Sequence, residues 1–138
     1  MSVVEQLIRR EDNGSLSFGN YLLETKTKKS DFEYEGDLYK VKTFQEITKL
    51  EKNGIFVYES VPGSTVTDFT ADGTEVAFSV EAAKDIGFTL ELEPSQEYKV
   101  FLDDVELGTM KTNLGGKLNV SIELDEGKKA AVKVVKCS

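Results

Sequence analysis

The chain has 138 residues, with 25 Asp and Glu against 17 Lys and Arg, no histidine, and a formal net charge of −8. That length suits one domain or two small ones, and the missing imidazole removes the commonest general base, metal ligand and near-neutral pH switch. Cys137 is the only cysteine, and Arg9 and Arg10 are the only arginines, which excludes thiolate metal clusters, intrachain disulfides, Cys-His catalysis and any extended arginine clamp.

Residues 1–12 read as a short helix. Ser2 fits an N-cap, with Glu5 three residues on completing a capping box. Val3, Val4, Leu7 and Ile8 fall at helical spacing and form an apolar face. Arg9 and Arg10 suit the C-terminal end of the macrodipole, and Asn13-Gly14 is the stop signal. So short a helix is marginal alone, so its face must dock, on its own sheet or on a partner chain.

From Ser15 onward the period becomes that of strands. Segments rich in Val, Thr, Phe and Tyr alternate with Gly, Asn and Asp. Strands are predicted over 15–24, 30–35, 38–44, 46–52, 55–60, 65–70, 75–82, 88–93, 97–103, 105–112, 117–124 and 129–136. The clearest runs from Lys117 to Leu124, where Leu118, Val120, Ile122 and Leu124 alternate with polar residues. Gly36-Asp37, Asn53-Gly54, Asp72-Gly73 and Asp103-Asp104 are predicted hairpin turns. Pro62 and Pro94 fall between strands, as ladder hydrogen bonding requires.

The segment Ser60-Val61-Pro62-Gly63-Ser64 is the best candidate boundary. It divides a helix-and-hairpin region, 1–61, from 62–138. The latter holds about seven short strands at roughly ten-residue spacing, as in an immunoglobulin-like β-sandwich. The two parts also fit one continuous unit. The predicted class is all-β.

The acidic run Asp31, Glu33, Glu35 and Asp37 suggests calcium at first sight. A hairpin turning on Gly36-Asp37 explains it otherwise, with Glu33 facing Lys40, Asp31 facing Lys42, Tyr34 meeting Tyr39 and Phe32 meeting Val41. Asp103, Asp104 and Glu106 cluster at one predicted turn, and Asp125 and Glu126 at another. Neither has the spacing of an EF-hand loop. LGTMKTNLGGK lacks the Walker spacing. No metal, cofactor or catalytic residue is predicted, so the expectation is a non-enzyme. A carboxylate-only hydrolase is the remaining catalytic alternative. Tyr21, Tyr58 and Tyr98 are candidates for stacking on a sugar ring or another small molecule.

A −8 charge repels nucleic acid and anionic membranes, and no apolar run approaches the roughly 20 residues of a membrane span. MSVVEQLIRRE does not read as a secretory signal, and a lone free thiol fits the cytoplasm.

Two stretches, KLEKNGIFVYESVPGSTVTDF (49–69) and YKVFLDDVELGTMKTNLGGKLNVSIEL (98–124), resemble small bacterial all-β proteins labelled endosialidase or endosialidase-like. That resemblance implies cleavage of polysialic acid. Sialidases share an arginine triad on a large propeller, whereas this chain holds two adjacent arginines, so no catalytic residue carries over. The second stretch also looks like β-sandwich modules appended to polysaccharide-degrading enzymes, which implies a packing or binding role. The leading expectation is therefore a non-catalytic β-sandwich acting through protein contacts, with a protein partner or a homo-oligomer. Glycan binding is the alternative.

Overall fold

The computed structural model describes residues 3–137. Thirteen strands follow one another: β1 (Ile8–Arg10), β2 (Leu16–Phe18), β3 (Thr27–Tyr34), β4 (Asp37–Phe44), β5 (Ile47–Lys52), β6 (Ile55–Val61), β7 (Ser64–Ala71), β8 (Glu75–Ala82), β9 (Ile86–Glu91), β10 (Glu97–Leu102), β11 (Val105–Lys111), β12 (Lys117–Ile122) and β13 (Ala130–Lys136). They form two antiparallel sheets, ordered β1-β2-β7-β8-β13-β10-β11 and β12-β9-β6-β5-β4-β3. The sheets face each other across one core, with β1 near β3 and β7 near β5. Both sheets draw strands from both sides of the 61/62 boundary, so backbone hydrogen bonding crosses it in each layer.

The inward positions follow the two-residue period of strands. Leu118, Val120 and Ile122 are buried in β12 while Asn119 and Ser121 are exposed. Between the sheets, the ring of Tyr58 meets Phe18 edge to face at 5.4 Å, Phe78 at 5.7 Å and Phe88 in a stack at 6.1 Å. Such contacts add about 0.5–1.5 kcal/mol each beyond area burial.

The N-terminal helix is not formed; among the described residues there is no helix. The Ser2 cap lies outside those residues. The chain instead turns at Leu7, which has φ +73°, and enters β1. β1 then pairs with β2 in a hairpin, Ile8 opposite Phe18 and Arg10 opposite Leu16. Gly19 N donates to Leu7 O at 2.9 Å, and Val4 N donates to Gly19 O at 3.1 Å. Neighbouring strand therefore supplies the hydrogen bonds a single helical turn cannot make cooperatively. Asn13-Gly14, expected to stop the helix, lies in the loop of this hairpin.

The β3–β4 register also differs from expectation. The turn residues are Glu35 and Gly36, at φ +53° and +82°, with Tyr34 opposite Asp37. Glu33 therefore faces Leu38, not Lys40, and Phe32 faces Tyr39, not Val41. Asp31, at φ +58°, falls in a bulge between Lys29 and Phe32 and does not face Lys42. That extra residue inverts the facing of β3 beyond it, so Lys29 stands opposite Val41 and Lys28 opposite Lys42. The rings of Tyr34 and Tyr39 still meet edge to face, at 5.6 Å.

Where β6 leaves one sheet and β7 joins the other, a buried hydroxyl network holds the corner. Ser64 Oγ lies 2.8 Å from the Tyr58 hydroxyl and 2.7 Å from Ser60 Oγ. Thr48 Oγ1 accepts from Ser64 N and donates to Ser64 O, both at 3.0 Å. Its proton is thus committed, so Thr43 donates in the 2.8 Å Thr43–Thr48 contact and accepts from Asn20 N at 2.9 Å. The chain packs so tightly here that a Cβ on Gly63 would run into the Phe44 carbonyl oxygen.

Candidate functional site

The residues singled out in the sequence are mostly interior. Val4 and Ile8 are fully buried, and Val3 and Leu7 are half-buried, with Leu7 packed on the core. This apolar group closes the end of its own sandwich. Tyr21, Tyr58 and Tyr98 are 2%, 1% and 3% exposed, so no ring face is open for stacking. Their polar tips are also engaged. Tyr21 donates to Glu81 Oε2 at 3.4 Å, Tyr58 joins the Ser64 network, and the Tyr98 hydroxyl accepts from Glu93 N at 3.1 Å. Burial pushes the hydroxyls of Tyr21 and Tyr58 up to about 12. Nearby Glu81 adds to the effect at Tyr21, and the neighbouring Ser64 and Ser60 hydroxyls oppose it at Tyr58.

Several acidic residues serve turns and ion pairs. Asp72 Oδ1 accepts from Thr74 N and Glu75 N at 2.8 and 2.9 Å, which holds its carboxyl below the usual range. Asp85 accepts from Leu124 N and Asp103 from Ala131 N, each at 2.8 Å. Asp37 pairs with Lys52 at 3.5 Å and accepts from Asn53 at 2.8 Å. Glu11 is also held low, chiefly by the Ser17 hydroxyl. A general acid needs the opposite shift.

The sheet β12-β9-β6-β5-β4-β3 presents a different chemistry on its outer face. Lys28 of β3 stands opposite Lys42 of β4, and Lys42 stands opposite Lys49 of β5. Three ammonium groups thus cross adjacent strands in one row. Lys40 occupies the next outward position of β4. Lys49 reaches Glu59 at 3.8 Å and lies 5.0 Å over the Phe56 ring. Among the described residues, Lys28, Lys40 and Lys42 take part in no ion pair. Phe56 and Phe44 interleave with these lysines, and Lys26 sits 5.9 Å over Phe44. Directly opposed like charges destabilise a sheet, so this row works against folding. It also stands on a protein that is acidic overall. In sequence these lysines look scattered; only strand pairing aligns them. The i, i+2 spacings Lys26/Lys28 and Lys40/Lys42 were the available signal.

A second feature opens between the sheets near the β3–β4 turn. A cleft of about 340 Å³ is walled by Tyr39, Val57, Phe69, Val76, Leu90 and Leu92, with Glu35, Asp37, Lys52 and Glu91 at its polar boundary. Bulges aim two of these walls, since Val57 and Phe69 both lie at register shifts. Tyr39 is largely buried, which pushes its hydroxyl up to about 12, with Asp37 adding to the effect.

Comparison with known proteins found no matching family model, no matching curated protein and no matching solved structure.

Proposed function

We propose that this chain is a non-catalytic β-sandwich that works through protein contacts, using the outer face of β3, β4 and β5 to hold an acidic protein segment. The observation that carries this reading is the Lys28–Lys42–Lys49 row, in which like charges oppose each other across neighbouring strands. A folded protein gains nothing from that arrangement alone, whereas a carboxylate-bearing partner turns each repulsion into attraction. Phe44 and Phe56 supply apolar contact between the charges. A protein partner is favoured over nucleic acid because the whole molecule carries −8 and repels a polyanion. The immunoglobulin-like reading of 62–138 fits this role and is supported by the short, regularly spaced strands β7 to β13. The endosialidase-like resemblance contributes no residue to it.

The test is titration of labelled protein with a Glu-rich peptide, followed by amide chemical shifts. Shifts centred on β3 to β5, weakened by salt and lost in Lys42→Glu, are expected. No shift there, or equal binding to duplex DNA, refutes the reading.

A second reading, a small-molecule site, is favoured by the inter-sheet cleft. Its volume and its apolar walls with a charged boundary suit a compact ligand. Tyr34, Tyr39 and Phe69, and not the three buried tyrosines above, would be its aromatic contacts. Ligand screening by Tyr39 ring-proton shifts tests it.

A further inference from the structure

The free edge of β11 differs from the other surfaces. The sheet containing it has seven strands and faces one of six, and the pairs β1 near β3 and β7 near β5 put the surplus strand at the β11 end. β11 therefore overhangs, and none of its residues is buried. Val105 and Leu107 are 63% and 45% exposed. An uncovered edge strand with apolar side chains is a template for another strand.

The direction of its backbone groups follows from the ladder. Thr112 N donates to Gln96 O, and Tyr98 is opposite Met110 in the same register. Residues 108 and 110 thus bond inward to β10. By antiparallel alternation, Thr109 and Lys111 turn their N–H and C=O outward. A bulge at Leu107 brings Glu106 opposite Phe101, so Glu106 shares the outer surface with Lys111, which is opposite Glu97.

We propose that β11 is the interface between two copies of this chain, paired antiparallel about a two-fold axis through Thr109. With that register, Thr109 bonds to Thr109 of the second copy through both outward groups. Met110 lies beside Gly108 of the copy, where no atom within 4 Å would obstruct it. The bulge then brings Glu106 into step with Lys111, and symmetry makes this charge pair twice. Neither residue is in an ion pair within its own chain among the described residues. Charge, bulge and open space are all self-complementary about one point, as an isologous contact requires. This proposal is independent of the lysine face, which lies on the other sheet.

The test is solution mass by light scattering on the full chain, whose monomer mass is 15.3 kDa. Twice that mass is expected. Glu106→Lys and Lys111→Glu each place like charges across the axis, and each should halve the mass while circular dichroism stays native. The double exchange, Glu106→Lys with Lys111→Glu, should restore the dimer. A monomeric parent protein overturns the proposal. So does a dimer indifferent to both single exchanges, or single exchanges that the double one does not rescue.

Discussion

Replacing Ser64 by alanine removes one oxygen atom, yet it should cost more than removing the hydroxyl of the far larger Tyr58. Ser64 Oγ stands between two buried hydroxyls, 2.8 Å from that of Tyr58 and 2.7 Å from that of Ser60. All three residues are at most 1% exposed, and among the described residues no buried side-chain N or O lacks a partner. Ser64→Ala withdraws the shared partner from two groups that water cannot reach. A buried hydroxyl left unsatisfied costs roughly 1–3 kcal/mol, so two of them should cost about 2–6 kcal/mol. Ser60 relaxing onto the Tyr58 hydroxyl sets the lower end of that range. Tyr58→Phe leaves the Ser60–Ser64 contact standing and should cost only about 1 kcal/mol. Introduced into the Ser64→Ala background, Tyr58→Phe should restore part of the lost stability. Urea unfolding followed by circular dichroism gives all four values of the cycle. Equal losses for the two single changes, or additive losses in the double, would refute the account of the corner as one network.

Other expectations concern charge, pH and space. Lys42→Glu converts two like-charge oppositions into attractions and should raise stability by about 0.5–1 kcal/mol at low salt, fading as salt is added; thermal melts at two ionic strengths check this. Burial pushes the hydroxyls of Tyr21, Tyr39 and Tyr58 up to about 12 in the folded state, against an ordinary 10.0. A raised folded-state value means their contribution is complete below pH 10 and is lost as pH rises toward about 12. Urea midpoints should therefore fall across that window, together with delayed tyrosinate absorbance; for Tyr58 alone the effect amounts to about 3 kcal/mol. Gly63→Ala forces a methyl group into the Phe44 carbonyl and should cost at least about 3 kcal/mol, whereas Gly73→Ala meets open space and should change stability by less than about 0.5 kcal/mol.

Much of the fold is legible before folding. The segments 38–44, 46–52, 75–82 and 117–124 are strands within a residue or two of their predicted limits, because inward and outward positions alternate and the pattern needs no distant partner. Asn53-Gly54 and Asp103-Asp104 are turns with positive φ, as expected. At the N-terminus two local signals competed. The apolar spacing of Val3, Val4, Leu7 and Ile8 fits a helix, and Asn13-Gly14 fits a hairpin. The hairpin prevails in the fold, where β2 pairs with β7 on one edge and offers its other edge to β1.

The candidate sites are another matter. Composition by itself removed histidine, thiol-cluster and arginine-triad chemistry, since an absent side chain is absent from every conformation. The function of the present ones depended on register. Asp31 and Glu33 missed their expected lysines because the hairpin turns one residue earlier, on Glu35 and Gly36, and a bulge at Asp31 shifts the pairing again beyond it. The two shifts together placed Lys28 against Lys42. The tyrosines went inward because alternation and sheet packing decide which face a side chain takes, and sequence cannot say which face the second sheet will cover. Strand identity is a local property of the chain. The lysine row, the inter-sheet cleft and the overhanging edge of β11 arise only from how strands distant in sequence are paired and stacked.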